Sequence, residues 1–403
     1  MERKIKTPLR DYLKFVFVPF VFLILLLVCL SGNIVRFPDE VEYHQLGISL
    51  ASGNGFTLEN GESSTLRPPG YAYLLSLVYR IHATPVSAKL FNAIIITLSA
   101  WGMCRISKNL LPVLFLCAYP VMLFTTTTLY PVILSGLLLF LILIRLCKLE
   151  RSLRSVISAG ILLGLLILNT PSFMLTSPIL AWILFRSGSG KIQHRIANVA
   201  LFTICTLIMV LPWTWRNYNV TGKFIMVSAN SGLNLYLGNS PNAGPNTGVN
   251  VDRPEILEAV QGLNEIDTDR YYGDMALEWI RTHPGDALKL YSGKVLNYFN
   301  FRNQLATESQ SSKLKDLVMF ASWYPLLGLF VVRLFFTKNY PLSPLEKAIY
   351  LLVISNVFLS AIFFTRIRFR LPFDQLMILA NAIFVGQLLQ NQRFFTYKPL
   401  TKP

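Results

Sequence analysis

FVFVPFVFLILLLVCL, residues 15–30, is an unbroken apolar run of the length that crosses a bilayer. Two segments look like this: a cleaved signal peptide and a membrane helix. A signal core spans only ~7–15 residues and leads to a small-residue cleavage site, and neither condition holds here. The run therefore reads as a retained first helix.

Nine further blocks repeat the pattern. With the first at about 13–31, candidate spans fall near 86–104, 110–124, 131–146, 156–170, 172–185, 196–215, 317–336, 347–364 and 371–389. The composition agrees: of 403 residues, 53% are hydrophobic and only 14% charged, and mean hydropathy is +0.48. A soluble domain carries roughly 25% charged residues, so water is not the main solvent of this chain.

The formal net charge of +16 would suit a nucleic-acid binder if it were gathered on one surface. It is instead dispersed over short loops, and this distribution excludes that class. With MERKIKTPLRDYLK (1–14) in the cytoplasm, the loops RISKN, RLCKLERSLRS, RSGSGKIQHR and TKNYPLSPLEK and the tail QRFFTYKPLTKP all fall inside, and every one is basic. Acidic residues show the opposite bias. Of 21 acids, five lie in the first outer segment, 32–85, and eleven lie between Asp252 and Asp316 in the second, 216–316. The expected organisation is a membrane module over 1–215, an extracytoplasmic cap over 216–316 and a second membrane module over 317–403. Cys29, Cys104, Cys117, Cys147 and Cys205 lie in or beside apolar blocks, with neither a disulfide framework nor a CxxC pattern.

An active site on the outer face has no access to cytoplasmic nucleotide sugars, so an activated substrate must arrive on a lipid. The first outer segment holds the best candidates. Asp39 and Glu40 stand just beyond the first helix, and mixed apolar and polar positions over Asp39–Leu50 predict a short interfacial helix. SGNGF then breaks the chain, and Arg67-Pro68-Pro69-Gly70-Tyr71 makes a stiff turn into another apolar helix. Read locally, Asp39 and Glu40 either cap the interfacial helix or do chemistry. Glu42 and His44 lie close enough in sequence for a divalent metal, although a lone histidine is more often an interface residue.

In order, the chain carries a first helix, an Asp-Glu pair, an A-x-G-x-G-F break over 51–56, RPPGY, PWTWRNYNVTGKFIMVSANSGLNLYLGNSP over 212–241, Trp279-Ile280-x-x-His283-Pro284, and RFRLP over 368–372. This succession resembles the GT-C membrane glycosyltransferases, such as the protein O-mannosyltransferases and the lipid A aminoarabinose transferases. The resemblance implies an all-α, multi-pass GT-C-like fold of about ten membrane helices with interfacial helices and a small α-rich cap. It implies a polyprenyl-phosphate-linked sugar as donor, a glycolipid, glycan or protein as acceptor, a bacterial inner-membrane location, and Asp39 as catalytic carboxylate. The chemistry is compatible: inverting transfer needs one base for the acceptor hydroxyl, because the phosphate leaves as an anion. Two features of the family are missing. Tyr130-Pro131 stands where relatives carry an acid at the outer start of the fourth span, and Asn169-Thr170-Pro171 stands where they carry an Arg before the Pro.

Arg366, Arg368 and Arg370 sit at the outer side of the last hairpin, against the charge rule. Together they would hold a donor phosphate. Headgroup anchoring is the alternative. Arg67 and Arg216, also at outer helix ends, are candidates for the same pocket. In the second segment, 224–248 is dense in Gly, Asn and Pro and predicts turns, while Asp267–Arg281 and Pro284–Phe299 predict helices. The latter would lie on the membrane with Lys289 and Lys294 on its polar flank. A lipid-linked-sugar transporter, or a GT-C-like scaffold without activity, would share most of these features. A transporter would place charge at mid-membrane, where Asp374 is the acid within a span.

Overall fold

A computed structural model describes residues 9–58, 61–147, 152–188, 190–248, 251, 254–302 and 312–395. The first eight residues and the tail after 395, both expected in the cytoplasm, lie outside the described residues.

The described chain is helical, with one isolated bridge between Thr57 and Ser63. Helix α1 (Leu9–Ser31) is followed by two short helices, α2 (Pro38–Ala51) and α3 (Pro69–Tyr79), and then by α4 (Pro85–Ser107). Next come α5 (Leu111–Cys117), α6 (Pro120–Thr126), α7 (Val132–Leu146), α8 (Leu153–Asn169), α9 (Phe173–Arg186) and α10 (Ile192–Thr221). A second group of short helices, α11 (Ser231–Gly238), α12 (Pro254–Ala259), α13 (Glu265–Thr282) and α14 (Pro284–Asn297), precedes α15 (Lys313–Phe335), α16 (Pro344–Ile362) and α17 (Ile367–Phe395). Among the described residues α4, α10, α15, α16 and α17 are long and apolar enough to cross a membrane, while the stretch Val16–Ser31 of α1 and the helices α7, α8 and α9 are shorter apolar segments.

Local chemistry sets the helix ends. Pro occupies the first turn of α2, α3, α4, α14 and α16, where its missing N–H costs nothing. Ser343 and Glu346 form a reciprocal capping box on α16. The expected third span over 110–124 is two helices instead of one. Pro120 cannot donate to the preceding turn and holds Tyr119 out of the helical region, at φ −118° and ψ 77°. The expected turn region over 224–248 is also corrected, because SGLNLYLG winds into α11. Gly232 allows a close crossing, because a Cβ there would run into the Asp269 carbonyl oxygen of α13.

The bundle closes on small residues and on α17. Gly160 and Gly164 let α8 meet α10 directly, since a Cβ on Gly160 would lie 2.5 Å from the Phe202 carbonyl oxygen. Leu371 and Leu376 to Ala380 of α17 are buried against α4, α5, α7, α15 and α16. Charge inside the helices is more abundant than the lone Asp374 expected from the sequence, and it is partnered. Arg333 pairs with Glu346 at 2.9 Å, and Arg370 pairs with Asp374 at 3.2 Å. Lys89 donates to the carbonyls of Gly32 and Ile34 at the end of α1, as the negative end of a helix dipole favours.

The two groups of short helices gather at one end of the bundle, where α3 packs on α8 and where α11 and α14 pack on α16. One residue there departs from its expected position. Lys294 is not on the polar flank of α14: it is 0% exposed and donates to Gly238 O at 2.9 Å, Asn239 Oδ1 at 3.0 Å and Phe363 O at 2.8 Å. Carbonyls freed at the ends of α11 and α16 attract the cation, and burial pulls its pKa down to about 7. Lys289 stays exposed.

Candidate active site

Pro38 opens α2, so Asp39 and Glu40 lie in its first turn, but neither side chain caps it. Asp39 faces two guanidiniums. Arg67 Nη2 donates to Oδ1 at 2.6 Å and Arg368 Nη1 donates to Oδ2 at 2.8 Å. The Asp39 side chain is 22% exposed. Burial alone would raise its pKa, but the charges of Arg368 and then Arg67 outweigh burial and hold the carboxyl below the ordinary aspartate value.

Arg67 is shared. Its Nε and Nη2 also donate to the two oxygens of Glu42 at 2.5 and 3.2 Å, so the guanidinium binds two of the three acids of α2, Asp39 and Glu42. The stiff Pro68-Pro69 entry to α3 fixes where the arginine begins, and α3 packs along α2. Gly47 permits this contact, because a Cβ there would lie 2.9 Å from the Tyr79 ring. His44, just before Gly47 on α2, bonds the Tyr79 hydroxyl through Nδ1 at 2.7 Å, and burial lowers its pKa. Glu42 and His44 thus have different partners, and no group of three or more His, Cys, Asp or Glu could hold a metal ion among the described residues.

The structure does not bring Glu40 into this network. Its side chain is fully buried, its Oε2 accepts from Leu129 N at 2.8 Å and its Oε1 accepts from Arg36 N at 3.4 Å. It ties α2 to the segment between α6 and α7, and burial raises its pKa.

Nor do the three arginines converge. Residues two apart on a helix do not share a face. Arg368 points to Asp39, accompanied by the Tyr130 hydroxyl at 3.0 Å and by the Tyr130 and Phe369 rings. Arg370 is 1% exposed, stacked 3.5 Å from the Trp323 ring centroid, and donates to Asp374, Tyr298 O and Asn300 O. Arg366 lies against Gly248, and burial together with the charge of Arg368 lowers its pKa to about 10. Arg216 binds backbone, donating to Ser64 O at 2.8 Å and Phe56 O at 3.3 Å, while it stacks on Trp213.

Sequence reasoning missed Tyr130 as a site residue, although it marked that position as the place of an absent acid. The two departures from the family pattern also meet in space, because Asn169 Nδ2 donates to Pro131 O at 3.0 Å.

No protein-family model matches the sequence, and no curated protein matches it. The fold has known counterparts. The crystal structure of ArnT from Cupriavidus metallidurans bound to undecaprenyl phosphate aligns with 94% of this chain and 60% of that one, at 14% identity and a TM-score of 0.55. The apo-state structure of the same protein aligns with 93% of this chain and 76% of that one, at 14% identity and a TM-score of 0.43. The chain therefore spans about three fifths of the length of the ArnT structure with the higher score. The resemblance to the GT-C superfamily and its lipid A aminoarabinose transferases is borne out as a likeness of fold.

Proposed function

We propose that this membrane protein is a glycosyltransferase that moves a sugar from a polyprenyl-phosphate carrier to an acceptor hydroxyl with inversion. The observation that carries the reading is a partly accessible carboxylate, Asp39, held between Arg67 and Arg368 at the helix-capped end of the bundle. The fold likeness to a protein bound to undecaprenyl phosphate supports it.

In this reading the donor phosphate enters beside Arg368 and competes with Asp39 for that guanidinium. Withdrawal of Arg368 leaves Asp39 with Arg67 alone, and its affinity for a proton rises. Asp39 then accepts the acceptor hydroxyl proton as the new C1–O bond forms. The bond from C1 to phosphate oxygen breaks, and the carrier leaves as an anion stabilised by Arg368, with Arg366 nearby. Arg67, held by Glu42, keeps the carboxylate aimed. Arg370 and Glu40 support the site through their buried contacts, and Arg216 holds the first loop. The site faces away from the cytoplasm of a bacterial inner membrane, both termini lie inside, and the acceptor is a glycolipid, glycan or protein hydroxyl.

The test compares membranes that contain the wild type, the Asp39→Asn variant or no protein, supplied with a radiolabelled polyprenyl-phosphate sugar pool. Loss of a general base costs ~10²–10⁴-fold in rate. The expected result is label transfer by the wild type alone, with the variant accumulating normally. Equal transfer by the variant would remove Asp39 from the mechanism. Donor movement across the membrane without transfer would favour a transporter.

A further inference from the structure

We infer that Glu265 is a positioning residue for the candidate site: from the first turn of α13 it fixes the segment that presents Arg67 to Asp39. The inference rests on the reading of Asp39 as the base, and its test separates the two.

An acid at the first position of a helix ordinarily faces solvent or the helix's own free N–H groups. Here Asn264 does the capping, accepting from Ile266 N at 3.1 Å and Asp267 N at 2.9 Å. Glu265 instead reaches a segment 200 residues earlier in the chain. Ser64 Oγ donates to its Oε1 at 2.9 Å, while Thr65 N and Thr65 Oγ1 donate to its Oε2 at 2.7 and 3.0 Å. Ser64 and Thr65 are buried, so these donors need partners, and a carboxylate accepts all three at once.

The same two residues are gripped from the other side. Arg216 of α10 donates to Ser64 O, and Ala229 N donates to Thr65 O, both at 2.8 Å. Only Leu66 separates this clamp from Arg67, and Leu66 N is itself tied to Ser64 Oγ at 3.1 Å. After Arg67 the chain enters Pro68, set at φ −65° and ψ 143°. The Arg67 backbone is therefore held on both sides with no slack residue, and its guanidinium meets Asp39 and Glu42 as a consequence. Glu265 thus links the position of α13 to the electrostatics of Asp39 without touching it.

The readout is the titration of Asp39 itself, followed in the full-length protein in lipid nanodiscs. Infrared carboxyl bands that disappear in Asp39→Asn identify the group, and their pH dependence is compared with and without Glu265→Gln. The charged and titratable groups that face Asp39 are Arg67, Arg368, Glu42, Tyr43 and Tyr130. Arg67 lowers the Asp39 pKa. Displacing Arg67 should therefore move the midpoint up in Glu265→Gln, with kcat/KM for transfer falling about 10- to 100-fold. Affinity for undecaprenyl phosphate should stay unchanged, since Arg368 remains in place. A folded Glu265→Gln protein with an unmoved Asp39 midpoint would overturn the inference, whatever its activity. Absence of transfer by the wild type would count against the proposed function and leave the titration to decide the role of Glu265. Should Glu265→Gln fail to accumulate, Thr65→Ala, which removes one of the three hydrogen bonds, decides by the same midpoint.

Discussion

Replacing Arg368 and Arg370 separately by Gln should produce opposite phenotypes, although the two stand two residues apart in a run that reads as one cluster. Arg370 is buried, and its loss leaves Asp374 inside the bundle with the Tyr119 hydroxyl, 2.7 Å away, as its remaining partner. Removing one member of a buried ion pair costs ~3–5 kcal/mol. The carbonyls of Tyr298 and Asn300 and the face of Trp323 lose their partner as well. Arg370→Gln should therefore lower the unfolding temperature by on the order of 5 °C or more. Arg368 is 34% exposed, and pairs of that kind contribute only ~0.2–1 kcal/mol, so Arg368→Gln should leave the unfolding temperature nearly unchanged. Its effect should appear in donor binding. A charge-assisted hydrogen bond is worth ~1.5–3 kcal/mol, which corresponds to roughly 10- to 150-fold in Kd. Undecaprenyl phosphate affinity by native mass spectrometry and unfolding by intrinsic tryptophan fluorescence, on the same preparations, measure both. Intact donor affinity in Arg368→Gln with a lowered unfolding temperature would refute the assignment and return Arg368 to an anchoring role.

Lys294→Met should destabilise the protein by ~1–3 kcal/mol or more, because it strands the three acceptors around the ammonium. The margin of wild type over variant should grow as the pH rises from about 7 towards the ordinary lysine value, where the unfolded chain still binds a proton that burial expels from the folded one; urea melts at two pH values check this. Gly160→Ala should cost ~1–3 kcal/mol by driving a methyl group into the Phe202 carbonyl, visible as loss of the folded fraction on detergent extraction.

Much of the architecture was legible because bilayer thickness and hydropathy act locally. The apolar blocks became helices close to their expected bounds, and the third block broke where Pro120 made it break. Asp39 and Arg67 were legible as candidates from their places after a helix and before a double proline. The partners of charged residues were not. Glu265 meets Ser64 and Thr65 across 200 residues, and Lys294 serves main-chain carbonyls that carry no mark in a side-chain sequence.

Composition and hydropathy periodicity by themselves determined an all-helical membrane chain, which follows from the cost of exposing backbone or charge to hydrocarbon. Only the tertiary structure decided which charges do what. Arg368 and Arg370 are alike in type and nearly adjacent, yet helical twist turns one to Asp39 and the other to Asp374. Glu40, next to Asp39, is taken by the backbone of Leu129. Direction around a helix axis, fixed by what packs against each face, separates the accessible ion pair at the candidate site from the buried one that holds the bundle.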